Sequence, residues 1–302
     1  MRRLHAMVVV GVLVAVSGCA DGKSSRTSAQ DGESGVKPAV TADESFKVLR
    51  EWTARYNRAI TTGEEKLWRA TVTGGLEAPV EARLRTYGKR SANAKISLLN
   101  PVMYVPRQSG FPQWFATAAL ERSDGGGRQQ VLGVFVRAGA KDEWRAAHWL
   151  TFKGKPPELD FDPQGYVIPA EPRGLPEAHA AYLTSGDASG LTPDAYTVRA
   201  RTPGFGDWKA ERSRYQPGPG KPFALRTKDG GSLVLYGLVA RHSMTGGTVR
   251  TLPAELGNYL TKNGGSPGKA LEATWQWLVI GYAPLTGRGR VLGESVSLTT
   301  AR

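Results

Sequence analysis

Residues 154–176, GKPPELDFDPQGYVIPAEPRGLP, carry six prolines. A proline has no amide donor and fixes its own φ, so neither a helix interior nor a central strand runs through such a stretch. Regular structure is confined to either side, in 43–153 and 177–302, and the stretch itself reads as an inter-domain connector. Of the 302 residues 40% are hydrophobic, which supports a real core, and the chain beyond the N-terminal region is long enough for one large or two ordinary domains.

Before the connector, Phe46, Leu49, Tyr56 and Ile60, with Trp52 or Thr53 between, fall on one stripe of an amphipathic helix. Asp43 or Ser45 is its expected cap. TGEEKLWRATVTGG predicts a second short helix, and PVEARLRTYG a third behind Pro79. The period then changes. AKISLLNPVMYVP, FPQWFATAALERS, RQQVLGVFVRAG and EWRAAHWLTF are strand-like, with SDGGGR and GAKDE as hairpin turns.

After the connector the order repeats: a helix at PEAHAAYLTSG, a hairpin around Asp229-Gly230-Gly231, and a helix or irregular insert at LPAELGNYLTKNGG. KALEATWQWLVIGYAP and GRVLGESVSLTTA form a second hairpin. Helices followed by antiparallel strands predict an α+β fold, helices packed on curved antiparallel sheets, in two similar cone-like domains.

The lone cysteine has a separate meaning. Cys19 follows a cationic start, MRRLH, and an apolar run of 11 residues, AMVVVGVLVAV. Residues 1–18 have the layout of a secretory signal. The run is too short to cross a hydrocarbon layer, which takes ~20 helical residues. Val16-Ser17-Gly18-Cys19 resembles the bacterial lipobox, in which the peptide is cut between Gly18 and Cys19 and the Cys19 thiol is diacylglycerylated. One cysteine also excludes an internal disulfide. Residues 19–42 carry little apolar weight and read as a disordered polar tether reaching about 25–30 Å.

Formal charge is +13. The basic residues are scattered rather than massed, so no nucleic-acid partner is expected. The acidic partners open to an exported chain are lipid headgroups and wall polymers.

The lipobox, YNRAI, YVPRQSGFPQWF, VLGVFVR with DEW, PQGYV and LRTKDGGSLVLY together resemble a family of actinobacterial lipoproteins of unknown function. The resemblance spans nearly the whole mature chain, and its motifs are structural. Each half is similar to the cone fold of nuclear transport factor 2 and ketosteroid isomerase, a bent sheet around a pocket. That fold hosts enzymes, binders and spacers alike, so it implies no activity.

Candidate chemistry is sparse. His148, His179 and His242 lie far apart with no H-x-x-x-H or H-E-x-x-H spacing, and G-x-S-x-G is absent. Asp160, Asp162, Gln164, Gly165 and Glu171 match positions 1, 3, 5, 6 and 12 of a calcium loop. Prolines inside that loop favour a solvated acidic turn, so Asp160, Asp162 and Glu171 are weak metal candidates and no cofactor is expected. Trp114, Trp144, Trp275 and Trp277 lie on strand-like runs and either fill cores or line a small-molecule pocket.

The expectation is a protein held to the outer face of the cell membrane by an N-terminal lipid. Its role reads as non-catalytic, a binding or scaffold module with an envelope polymer or protein as partner. The alternatives are an isomerase- or dehydratase-type enzyme using a cone pocket, and a wall-interacting spacer.

Overall fold

The computed structural model describes residues 36–152, 154–265 and 268–302. The expected signal, Cys19 and the tether up to residue 35 lie outside the described residues. Val36–Arg302 forms one compact unit.

The first helix, α1 (Ala42–Thr62), starts one residue after its cap. That cap is Thr41 rather than Asp43 or Ser45: Glu44 N–H donates to Thr41 Oγ1 at 3.2 Å while Thr41 N–H donates to Glu44 Oε2 at 2.9 Å. The reciprocal pair satisfies two amides that the helix leaves open. Ser45 is instead buried and bonds back to Ala42 O. α2 (Glu65–Arg69) and α3 (Glu77–Tyr87) follow.

The expected four strands then form an antiparallel meander, β1 (Ile96–Tyr104), β2 (Gln113–Ser123), β3 (Gly126–Arg137) and β4 (Arg145–Thr151), in spatial order β1-β2-β3-β4. Residues 37–39, expected at the end of the tether, pair with residues 106–108 just past β1. Ala39 and Val40 are buried, and Ala39 N–H donates to Pro106 O at 3.2 Å.

The second half repeats the order with α4 (Leu175–Ser185) and α5 (Ala195–Ala200) ahead of β5 (Lys209–Pro217), β6 (Phe223–Arg226) and β7 (Ser232–Thr245). α6 (Ala254–Lys262), β8 (Ala270–Ala283) and β9 (Arg290–Ala301) complete it. This sheet runs β5-β7-β8-β9, with β6 also pairing β7. The fold is α+β with two antiparallel sheets, as the sequence predicts.

Alternation along the strands sorts side chains into layers. Phe115 and Phe135 on one face of the first sheet pack against Leu49 and Trp52 of α1. Leu132, Val134 and Leu150 on its other face meet Leu233, Leu235, Leu278 and Ile280 of the second sheet. Val234, Tyr236 and Val279 then turn back toward Leu175 and Leu183 of α4. The result is helix, sheet, sheet, helix. Leu235 is fully buried between the sheets, and truncating such a leucine to alanine costs ~2–5 kcal/mol.

The proline-rich stretch takes part in that shared core. Leu159 and Val167 are buried in it, and Asp160 and Ala170 amides donate to Arg226 O and Ala224 O on β6, both at 2.9 Å. It connects the halves while packing between them, because its isolated apolar residues find a free edge on β6.

Candidate binding cleft

A cavity of about 340 Å³ opens at the rim of the first half, where α1, α2, α3 and β4 meet α6 and β9. Its floor is aromatic. Trp52 stacks on Tyr56 with ring centroids 5.2 Å apart, and Tyr56 meets the edge of Trp68 at 5.5 Å. Trp149 approaches Trp52 to 4.6 Å. It lies there because Gly133 stands opposite on β3: a Cβ at Gly133 would fall 2.3 Å from Trp149 Cε3. Only a residue without a side chain leaves room for that ring.

The indole donors differ in their fates. Trp52 Nε1 donates to Thr71 O at 3.0 Å, and Trp149 Nε1 donates to Glu121 Oε2 at 2.8 Å. Trp68 Nε1 is buried and has no partner. The same holds for Nη2 of Arg83, whose guanidinium lies 5.5 Å from the Trp68 ring centre. Burial, and then the charge of Arg90, pull Arg83 below its ordinary pKa. Burial, and then Glu121, push Tyr56 up. Among the described residues neither Arg83 nor Arg90 belongs to an ion pair.

The far wall comes from the second half. Glu255 accepts the Leu298 amide at 2.9 Å, and Ser295 and Ser297 line the opening. Among the described lining residues there is no histidine, cysteine or aspartate. The cleft's described lining offers the hydroxyls of Tyr56, Ser295 and Ser297, the carboxylate of Glu255 and the guanidinium groups of Arg83 and Arg90.

The residues singled out in the sequence lie elsewhere. Trp114 packs on Phe223 at 5.2 Å, and Trp144 on Phe115 at 5.0 Å. Trp275 meets Phe205 and His242, and Trp277 meets Tyr215 and His179. None of the four lines the cleft. Asp160 is paired with Arg226 at 2.7 Å and Asp162 with Arg107 at 2.8 Å, while Glu171 is exposed. Asp162 Oδ1 also accepts the amides of Gln164 and Tyr166, both at 2.9 Å. The turn is closed by arginines from outside it and by its own amides, and no group of three His, Cys, Asp or Glu able to hold a metal occurs among the described residues.

His148, His179 and His242 are buried, and burial pushes each down to about 4. A separate groove of about 640 Å³ beside β9 contains Glu294 and Asp194. Glu294 Oε2 is buried without a partner, and burial, followed by repulsion from Asp194, raises that carboxyl to about 7.

Residues 36–302 match the model of a family described as a domain of unknown function (DUF8094). An uncharacterized lipoprotein of Streptomyces coelicolor is 27% identical over 303 residues, covering 90% of this chain and 88% of its own length. An uncharacterized lipoprotein of Streptomyces avermitilis is 27% identical over 232 residues, covering 68% of this chain and 67% of its own. No solved structure matches. Among the described residues no helix is long and apolar enough to cross a membrane.

Proposed function

Because the chain belongs to the DUF8094 family, and the relatives above are named lipoproteins, we propose that it is an extracytoplasmic lipoprotein. Cys19 carries the lipid on the outer face of the cell membrane, and the rim cleft binds a small molecule without transforming it. The repeated order of helices and then antiparallel strands supports reading each half as a cone of the nuclear transport factor 2 kind.

The observation that carries the binding role is the cleft itself. The sheet faces turned toward the helices are packed, the first by Phe115, Phe135 and Trp144, the second by Leu183, Trp277 and Val279. Space survives at the rim of the first, where aromatic faces and unpartnered donors share one wall, the usual build of a small-ligand site. The test is a titration of the full chain in detergent, followed by tryptophan emission. The probes are N-acetylglucosamine, glucuronate and glucose 6-phosphate. At least one changes the emission, and Val80→Trp, which fills the cavity, abolishes that response. Silence from all three, or an unchanged response in Val80→Trp, defeats the binding role.

Glu294 favours a second reading, an isomerase-type enzyme, since a carboxyl titrating near neutrality suits proton transfer. Under that reading the full chain exchanges α-hydrogens of a ketone such as cyclohexanone for deuterium at neutral pH, and Glu294→Gln abolishes the exchange. No exchange above buffer removes it.

A further inference from the structure

We infer that the ligand of the rim cleft is an oxyanion, a carboxylate or phosphate, borne on a hydroxylated ring. This rests on the cleft being a binding site and adds the chemical class of its occupant.

Two residues of the cleft's lining, Trp68 and Arg83, carry buried donors without a partner. Trp68 Nε1 and Arg83 Nη2 are buried and unpartnered, and both are donors only. An unmet buried donor costs free energy, more so when charged, and an acceptor that reaches it recovers that cost. Arg90, on the same lining, adds a second cation whose charge acts on Arg83.

Of the carboxylates nearby, Glu121 and Glu81 are already committed. Glu121 accepts from Trp149 Nε1 and Gln129 Nε2, both at 2.8 Å, and Glu255 accepts from Leu298 N–H. Glu81 pairs with Arg85 and Arg69. Two arginines therefore line one cavity, and among the described residues neither forms an ion pair. Paired guanidinium and carboxylate or phosphate groups make the strongest charge-assisted bonds available, often two at once.

The rest of the ligand follows from the other surfaces. The half-buried Tyr56 and Trp149 offer aromatic surface for a flat or puckered ring, and Ser295 and Ser297 offer hydroxyls at the opening. A cavity of about 340 Å³ lies at the small end of ligand sites, the scale of a single sugar ring with its acid group.

The experiment compares glucuronate, glucose 6-phosphate and glucose on the full chain in detergent, by tryptophan emission and by melting temperature. At least one acid binds about tenfold more tightly than glucose or better, a difference of ~1.4 kcal/mol. The two acids separate a carboxylate preference from a phosphate preference. Arg83→Met weakens the acid about tenfold or more while the ligand-free protein melts no lower, since a desolvated like charge has been removed. The exposed Arg90→Gln provides a second variant and weakens it severalfold. Glucose binding as well as the acids, wild-type affinity in both variants, or no response to either acid overturns the inference. If N-acetylglucosamine still binds in that last case, the binding role survives and its anionic class does not.

Discussion

His148 Nε2 lies 3.2 Å from the main-chain oxygen of Val279, 131 positions further along the chain. The contact joins the last strand of the first sheet to β8 of the second. With a carbonyl as its partner, Nε2 carries the proton and the buried imidazole is neutral. Burial holds it down to about 4, against an opposing push from that bond.

His179 and His242 are likewise held at about 4, against 6.5 in the unfolded chain. Between those values the unfolded chain takes up protons that the folded chain refuses. Stability is therefore full above 6.5 and falls as pH drops toward 4. Each histidine can contribute up to ~3 kcal/mol to the loss. Urea unfolding at neutral and acid pH measures the slope, and His148→Gln, which keeps a donor but does not titrate, lowers it by roughly a third. An unchanged slope in that variant would show that His148 does not resist protonation.

Glu294 works in the opposite direction. Its folded carboxyl titrates near 7 against an ordinary 4.5, so the folded chain holds the proton where the unfolded chain has lost it. Its contribution is present below 4.5 and disappears as pH rises through 7. The shift sets a ceiling of ~3 kcal/mol, and solvent on the exposed part of the side chain reduces that to ~1–2 kcal/mol. Glu294→Gln is accordingly more stable than wild type above pH 7 and equal to it below 4.5. Equal stability across the whole range rules out the raised carboxyl.

Much of the fold was legible because its signals are local. The α1 stripe, in which Leu49, Trp52 and Ile60 are buried but Phe46 is exposed, the strands β1 to β4 and the Asp229 turn are periodicities and turn residues within single segments. β5 was not legible: KAERSRYQP has one buried residue, Tyr215, and forms a charged edge without alternation. The cleft was illegible for a different reason. Trp68, Arg83, Trp149 and Ser297 come from four elements and share no spacing, so only tertiary packing brings them together. Strand position drew attention to Trp114, Trp144, Trp275 and Trp277, yet those strand faces look into closed cores.

Anchoring through Cys19 is tested by cell fractionation. A diacylglyceryl group supplies two acyl chains, and two anchor stably where one binds only marginally. Wild type remains with membranes after a salt wash, and Cys19→Ala is released. Retention of the variant as firmly as wild type would sink lipid attachment at this residue.

Asn57 of α1 closes the start of the edge strand β1. Its Nδ2 donates to Ile96 O and its Oδ1 accepts Ile96 N–H, both at 2.8 Å, in place of a neighbouring strand. Thr184 of α4 does the same for the edge strand β5. Its Oγ1 accepts Tyr215 N–H at 3.0 Å and lies 3.4 Å from Tyr215 O. In each half the helix ahead of the sheet supplies the side chain that closes the first strand's open edge, a device that also discourages pairing with another chain. Asn57→Ala strands a partly buried amide and carbonyl and loses ~1–3 kcal/mol, while Thr184→Val, with one strong bond at stake, loses ~1 kcal/mol. The two closures share no partner and sit in different halves, so the double variant loses the sum to within ~0.5 kcal/mol. Urea unfolding of the four proteins measures this, and a loss well short of the sum would mean the closures depend on each other.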